Sequence, residues 1–281
     1  MIRHIFSDMD GTLLNSAGYL SQNNIEEIKT SGIPFTLVSA RAPMEMVETI
    51  DKLQLTNPQI AFNGGVIFQK LQQGIKVLHA DPLEVGSMKK ILQMVKINFP
   101  NTSVSCYSLN NWYAEKIDYG VQIESKETGI VPKIVNYSDL LTSARNFYKI
   151  MFISLDETKL ARLVRRINEL GLDDISAKQS GKIYLEITSR RAQKSKGIKY
   201  IQRLEKLAVE EMAAFGDGHN DLPMLQSVGT PIVMENALKE IKMYGKFITK
   251  TNDADGVSFG IRKYLNLQRE LDAKPEEKLQ L

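Results

Sequence analysis

HIFSDMDGTLL, residues His4 to Leu14, runs an apolar segment straight into two acids one residue apart, with a glycine behind them. A short apolar run bounded by acids and glycine is the pattern of a buried strand that ends in a functional loop. Asp8 and Asp10 are thereby placed at a strand end, and Gly11 lets the chain turn so that both acids can face one point. An acid pair of this kind, standing alone, is an ordinary solvated turn. Its meaning depends on what the rest of the chain brings beside it.

Outward from this stretch, the spacing predicts a first strand over Ile2 to Phe6. A helix follows with Ser21 before it, Ile25 and Ile28 on one face and Gly32 as its stop. Phe35 to Val38 is a second strand ending at Ser39. Strand, helix, strand favours a parallel pair joined by a crossover, with both strand ends on one edge. Pro43 opens a helix through Ile50 and Leu53. Ile60 to Phe62 is a third strand that turns at Asn63-Gly64-Gly65 into Val66 to Phe68, its hairpin mate.

After Pro82 the texture changes. Leu83 to Phe99 and Leu160 to Leu170 read as helices, with short apolar segments between them at Val104 to Tyr107, Trp112 to Ala114 and Lys149 to Leu155. Tyr184 to Ile187 is a strand, followed by a helix carrying Ile198, Ile201 and Leu204 on one face. Met212 to Phe215, Pro231 to Met234 and Phe247 to Thr249 continue the alternation. The fold expected is α/β: a doubly wound, Rossmann-like parallel-sheet core from residues 1–82 and 186–281, interrupted by an inserted α+β domain over 83–185. The charged tail Arg269 to Glu277 reads as a frayed helix end.

Composition narrows the function. The formal charge of +3 is the balance of 36 basic and 33 acidic side chains, too even to mark a nucleic-acid surface. Cys106 is the one cysteine, so there is no internal disulfide, and with no His/Cys cluster around it zinc is not expected. No apolar stretch approaches the roughly 20 residues of a membrane helix, and Asp8 interrupts the N-terminus before a signal-peptide core could form. The expectation is a cytoplasmic protein with no nucleic-acid and no membrane partner.

Ligands of open parallel sheets bind beyond the carboxyl ends of the strands. Asp8, Asp10, Ser39, Lys194 and the GDGHND segment with Asp217, Asn220 and Asp221 all fall at such ends or in the segments that follow them. Carboxylates gathered there repel one another unless a cation neutralises them, and all-oxygen ligands imply magnesium. Magnesium held by few carboxylates completes its shell with water and a substrate phosphate, which a lysine, a hydroxyl and backbone N–H groups would cradle. Phosphoryl transfer is the indicated chemistry. GDGHND is not a calcium loop, because Leu222 and Val228 stand where that loop needs glycine and glutamate, and Asp221 breaks the dinucleotide glycine pattern. Asn63-Gly64-Gly65 reads as a hairpin turn only, and His219 as a loop residue near the site. His4 and His79 read as surface or packing residues, and Arg41 as either a substrate contact or a surface ion pair.

DMDGTLL, Ser39, Lys194 and GDGHND, in that order, resemble the haloacid dehalogenase superfamily of phosphatases. The placement of the insertion, AFNGG at 61–65, YLEIT at 184–188 and MENA at 234–237 are similar to its Cof-type branch. The likeness spans essentially the whole chain and is weak inside residues 83–180. It implies that Asp8 is the nucleophile that becomes an aspartyl phosphate and that Asp10 is the acid/base. It implies a magnesium ion on Asp8, the backbone carbonyl of Asp10 and Asp217, with Asp221 in or just behind that shell. Phosphate would be held by Ser39, the N–H groups of Met9 and Ala40, Lys194 and Asn220. Lys196 is the alternative to Lys194. Ser39-Ala40-Arg41 departs from the family's threonine, glycine, arginine. The insertion corresponds to a type IIB cap that closes over the site and selects the leaving group. The function implied is a magnesium-dependent phosphatase of small phosphate monoesters, such as sugar phosphates. A phosphomutase or a phospho-accepting sensor would use the same constellation. The partner expected is a small phosphorylated metabolite, and the protein itself a monomer or small homo-oligomer.

Overall fold

A computed structural model describes residues 1–266, so the expected tail helix over Arg269 to Glu277 lies outside the described residues. Strand β1 (His4–Ser7) is buried along its whole length and lies parallel to β2 (Phe35–Leu37). Between them runs α1 (Gln22–Ser31), opened by the Ser21 hydroxyl accepting from the Asn24 N–H and closed by Gly32 at φ 62°. Both signals act where the sequence placed them. α2 (Pro43–Leu53) starts on Pro43 and buries Met46, Ile50 and Leu53. β3 (Gln59–Ala61), β4 (Val66–Lys70) and β5 (Ile75–Ala80) form a small antiparallel sheet, which meets the main sheet through a parallel bridge from Val38 to Ile60.

The insertion is a second layered unit. It contains α3 (Val85–Asn98), β6 (Ser103–Tyr107), β7 (Trp112–Ala114), α4 (Tyr119–Thr128), β8 (Lys133–Ile134), α5 (Tyr137–Thr142), β9 (Lys149–Ile153), α6 (Glu157–Asn168), β10 (Ile175–Ser180) and β11 (Tyr184–Ser189). Its sheet runs β10-β11-β9-β6-β7-β8. β11 pairs along its length with β9 and β10, so the strand beginning at Tyr184 stays in this sheet to Ser189 and crosses the expected domain boundary at 185/186. The alternation of β9 explains the two faces. Ile150 and Phe152 pack with α3 and α6 side chains such as Ile91 and Leu163, while Met151 and Ile153 join a cluster that includes Phe62 of the core.

The chain then returns through α7 (Lys194–Glu205), β12 (Met212–Gly216), β13 (Thr230–Val233) and β14 (Phe247–Ile248). The main sheet has the order β14-β13-β12-β1-β2, with every neighbouring pair parallel. Ile5, Ala213 and Phe215 pack on one face with α1 and α2, and Phe6, Met212 and Ala214 on the other with Ile198 and Ile201 of α7. Helices on both faces are the doubly wound arrangement. Leu204 does not join that face: it is 55% exposed, because the helix turns its third apolar position to solvent near its end. His4 is fully buried, tied to Glu205 at 2.8 Å and Thr36 at 2.9 Å, and so acts as packing between sheet and α7.

Candidate active site

The register of β1 with β12 pairs Ser7 with Phe215, which brings the residues after both strands to the same sheet edge. The Asp8 N–H extends the ladder by donating to the Phe215 carbonyl at 3.0 Å, so the carboxylate leaves from fixed backbone. Gly11 sits at φ 74°, and a Cβ there would collide with the Asp217 carboxylate. The position thus needs glycine twice, for its left-handed backbone and for its close approach to a site acid. Thr12 secures the same carboxylate by donating from Oγ1 to Asp217 Oδ1 at 2.7 Å.

Asp221 is completely buried on the short turn His219–Asp221, and its Oδ2 accepts from the Asp217 and Gly218 N–H groups at 3.0 and 2.9 Å. Lys194 is the first residue of α7. Its ammonium, buried with the rest of the side chain, lies 2.6 Å from Asp8 Oδ1 and 2.7 Å from Asp221 Oδ1. Burial alone would lower its pKa, but the two carboxylates more than offset that and raise it. Lys196, two residues on, is exposed, because the helix carries it away from the acids.

Asp8, Asp217 and Asp221 each offer an oxygen, and these oxygens lie within 4.8 Å of one another. Burial, then the nearby Asp221 charge, raises the Asp8 pKa well above the carboxylate range. Burial likewise pushes Asp217 up to about 6, against the opposing hydrogen bond from Thr12. One ammonium among three acids leaves the group short of positive charge. An oxygen-only donor set with unbalanced negative charge suits a small hard divalent cation.

The loop at Ser39 is held from the side. Phe62 N–H donates to the Arg41 carbonyl at 3.0 Å and Asn63 N–H to the Ser39 carbonyl at 2.8 Å, one on each flank of Ala40, whose own N–H has no partner among the described residues. Ser39 is fully buried, its Oγ accepting from the Arg41 N–H at 3.1 Å. Ala40 lies outside the positive-φ region, which is why alanine can stand where the resemblance expects glycine. The Asn63-Gly64-Gly65 segment therefore does more than join β3 to β4. Gly64, at φ 98°, also abuts the backbone of Gln193 so closely that a Cβ would collide with it, and Lys194 is the next residue. One turn positions both the Ser39 loop and the start of α7.

A cavity of about 360 Å³ opens above these groups, between the sheet edge and the inserted unit. Asp8, Asp10, Ala40, Arg41, Asp217 and Asn220 line its lower side. Ser39 and Lys194 lie beneath that wall rather than on it. Asp10 is half exposed and held by Arg41 in a two-pronged ion pair, Nε to Oδ2 at 2.9 Å and Nη2 to Oδ1 at 2.5 Å. Of the two readings of Arg41, the ion pair is present and its partner is Asp10. His219 stays outside, against Glu240 at 2.7 Å. Glu124, Lys149, Met151, Tyr184 and Glu186 close the cavity from the insertion. A larger cavity of about 680 Å³ on the insertion, lined by Leu92, Phe99 and Tyr137 among others, contains none of the sheet-edge acids, so size alone does not locate the chemistry.

Sequence reasoning did not single out Thr12, Lys149, Glu124 or Glu186. Thr12 had a signal, being inside DMDGTLL. The other three are ordinary polar positions in sheet and helix, and only the tertiary packing brings them to the cavity.

The sequence profile of haloacid dehalogenase-like hydrolases matches residues 5–261, and the chain belongs to that family. A provisionally named phosphatase of Haemophilus influenzae is 28% identical, aligned over 92% of this chain and 96% of its own. The 5-amino-6-(5-phospho-D-ribitylamino)uracil phosphatase of Bacillus subtilis is 27% identical, over 93% of this chain and 97% of its own. In structure, a haloacid dehalogenase-like hydrolase from Bacteroides thetaiotaomicron superposes with a TM-score of 0.85 at 24% identity, covering 94% of this chain and 99% of the other.

Proposed function

We propose that this hydrolase is a magnesium-dependent phosphatase that releases inorganic phosphate from small phosphate monoesters through an aspartyl phosphate on Asp8. The observation that carries the reading is a buried carboxylate, Asp8, held at 2.6 Å by a buried ammonium and facing a cavity of metabolite size. The two named relatives support phosphate-ester hydrolysis, and one of them is named for a phosphorylated ribityl compound. A single buried cysteine, Cys106, and the absence, among the described residues, of a helix long and apolar enough to cross a membrane agree with the cytoplasmic location we also propose. The balanced charge agrees with a small metabolite rather than nucleic acid as partner.

In this reading Asp8, Asp217, Asp221 and the carbonyl of Asp10 would hold magnesium, which when bound supplies the positive charge that lets an anionic nucleophile and a phosphate dianion approach. The Asp8 carboxylate attacks phosphorus and the bond from phosphorus to the leaving oxygen breaks. Asp10 gives that oxygen its proton. It then takes a proton from water, which attacks phosphorus, restores Asp8 and releases phosphate. The Lys194 ammonium, the Ser39 hydroxyl, the N–H groups of Met9 and Ala40 and the Asn220 amide hold the phosphate oxygens. Arg41 keeps Asp10 directed at the cavity. The inserted unit shields the phosphorylated state from bulk water and leaves room for the single water that Asp10 activates.

A panel of phosphate esters, assayed with magnesium and with chelator and compared with Asp8→Asn, tests the reading. Magnesium-dependent release that vanishes in the variant is expected. Isomer interconversion outrunning release would point to a mutase, and a long-lived phosphorylated Asp8 without turnover to a sensor.

A further inference from the structure

The wall of the cavity facing Asp8 has an unusual charge balance. Glu124 and Glu127 of α4, Glu186 of β11 and Glu45 of α2 line it, against two cations, Lys149 and Arg41. Arg41 is already committed to Asp10 through both of its prongs. Lys149 is 4% exposed and divides its ammonium among weak contacts: the Ala40 carbonyl at 3.5 Å, Glu186 at 4.0 Å and the Tyr107 ring at 4.5 Å.

The glutamates are not saturated by the protein. The Glu186 carboxylate makes no hydrogen bond among the described residues, and its nearest cation is that same Lys149 at 4.0 Å. Glu124 is 7% exposed, and the one hydrogen bond its carboxylate accepts among the described residues is a long 3.3 Å contact from the Tyr107 hydroxyl to Oε1, which leaves Oε2 open. Glu127 accepts from the Tyr184 hydroxyl through one oxygen, and Glu45 from the Ala42 N–H through one. Glu124 is buried and Glu186 largely so, and their open carboxylate oxygens face the cavity, where donors from whatever occupies it can fill them. Burial raises Glu124 to about 7, and burial likewise raises Glu186 despite the Lys149 charge. Lys149 is raised in spite of burial because Glu186, Glu45 and Glu124 outweigh it. By count of groups the balance of this wall is negative, because four glutamates face Lys149 and an Arg41 already paired with Asp10.

We propose that the leaving group of the substrate carries an ammonium group toward Glu124 and Glu186, so that the enzyme prefers amine-bearing phosphate monoesters and rejects those with a second anion. The inference rests on the phosphatase reading of Asp8. It concerns the far end of the cavity, where the leaving group lies once its phosphate is on Asp8. A cation there adds to the field that already holds Lys149, whereas a carboxylate or second phosphate adds a like charge to a poorly solvated wall. Hydroxyls fill the open oxygens without relieving the charge, which places neutral polyols between the two.

The test is a ladder of ω-aminoalkyl phosphates from ethyl to hexyl, each beside its unsubstituted alkyl phosphate and its ω-carboxyalkyl phosphate, with magnesium. At the best chain length kcat/KM for the ammonium member is expected to exceed that of the alkyl member by roughly tenfold, and the carboxylate member to fall roughly tenfold below it. In Glu124→Gln and Glu186→Gln, the ammonium-to-alkyl ratio is expected to move toward one. If alkyl phosphates are hydrolysed and no ammonium member outpaces its alkyl partner at any length, the inference is overturned while the phosphatase reading stands. If no member of any series, nor p-nitrophenyl phosphate, is hydrolysed, the reading of Asp8 fails and takes the inference with it.

Discussion

The two sides of the cavity are built by different rules. On the core side Asp8, Lys194, Asp221, Thr12 and Asp217 hold one another through contacts of 2.6 to 2.7 Å, and Asp221 also takes two backbone N–H groups. On the inserted side Lys149, Glu186, Glu124 and Tyr107 meet at 3.3 to 4.5 Å. In the reading proposed above, the core side is pre-organised for the phosphate that every substrate would share, and the inserted side leaves hydrogen-bonding capacity open for the group that would distinguish one substrate from another. On that reading pre-organisation would serve the reacting phosphate, where electrostatic stabilisation must be in place before the reaction, and incomplete satisfaction would serve selection.

Substitutions can break this contrast. The largest effect belongs to the core side: Asp8→Asn should lower kcat roughly ten-thousandfold or more in steady-state phosphate release, with the circular dichroism spectrum unchanged. Lys194→Met comes next. It should lower kcat/KM by roughly a hundredfold to a thousandfold and destabilise the protein by about 3 kcal/mol in urea unfolding, because two buried carboxylates lose their cation. Lys196→Met, two residues away and exposed, should leave both measurements close to those of the native protein, which makes the pair a sharp comparison. Gly64→Ala should be smaller but visible, roughly 1–3 kcal/mol in thermal unfolding with a reduced kcat, since the new methyl must push Gln193, and Lys194 with it, out of place.

The inserted side should respond through pH. Burial raises Glu124 from its ordinary range to about 7. A carboxyl raised in the folded state contributes stability that is fully present below its unfolded value near 4.5 and is lost as pH rises through about 7. Glu124→Gln removes that dependence. Relative to the native protein the variant should therefore gain on the order of 1–3 kcal/mol between pH 4 and pH 8 in urea unfolding. An unchanged difference across that range would mean that the wall is better solvated than its burial implies.

The same contrast explains what could be read from the chain. Asp8, Asp10 and Gly11 were legible because a strand that must end in a turn beside an acid forces a glycine into a recognisable spacing. GDGHND was legible for the same kind of reason, as its backbone N–H groups must curl around Asp221. The doubly wound core followed from apolar runs alternating with capped helices. β11 misled at the boundary because its short apolar run, Tyr184 to Ile187, leads on to a helix as the core strands do. Leu204 misled because helical spacing near a C-terminus does not fix which face still meets the core. Lys149, Glu124 and Glu186 were not legible at all: β9, β11 and α4 each supply one polar residue at an unremarkable position, and only the packing of the inserted unit over the sheet edge brings them together. The second role of Asn63-Gly64-Gly65 was hidden for a similar reason, since the sequence shows that a turn forms but not that Gln193 rests against it.

The most direct test of the central claim is rapid acid quench during turnover of p-nitrophenyl phosphate with magnesium, followed by digestion and mass spectrometry of the peptide containing Asp8. A phosphoryl group on Asp8 that forms before phosphate is released and is absent in chelator is the predicted result. Steady phosphate release with that peptide unmodified at every time point would contradict it.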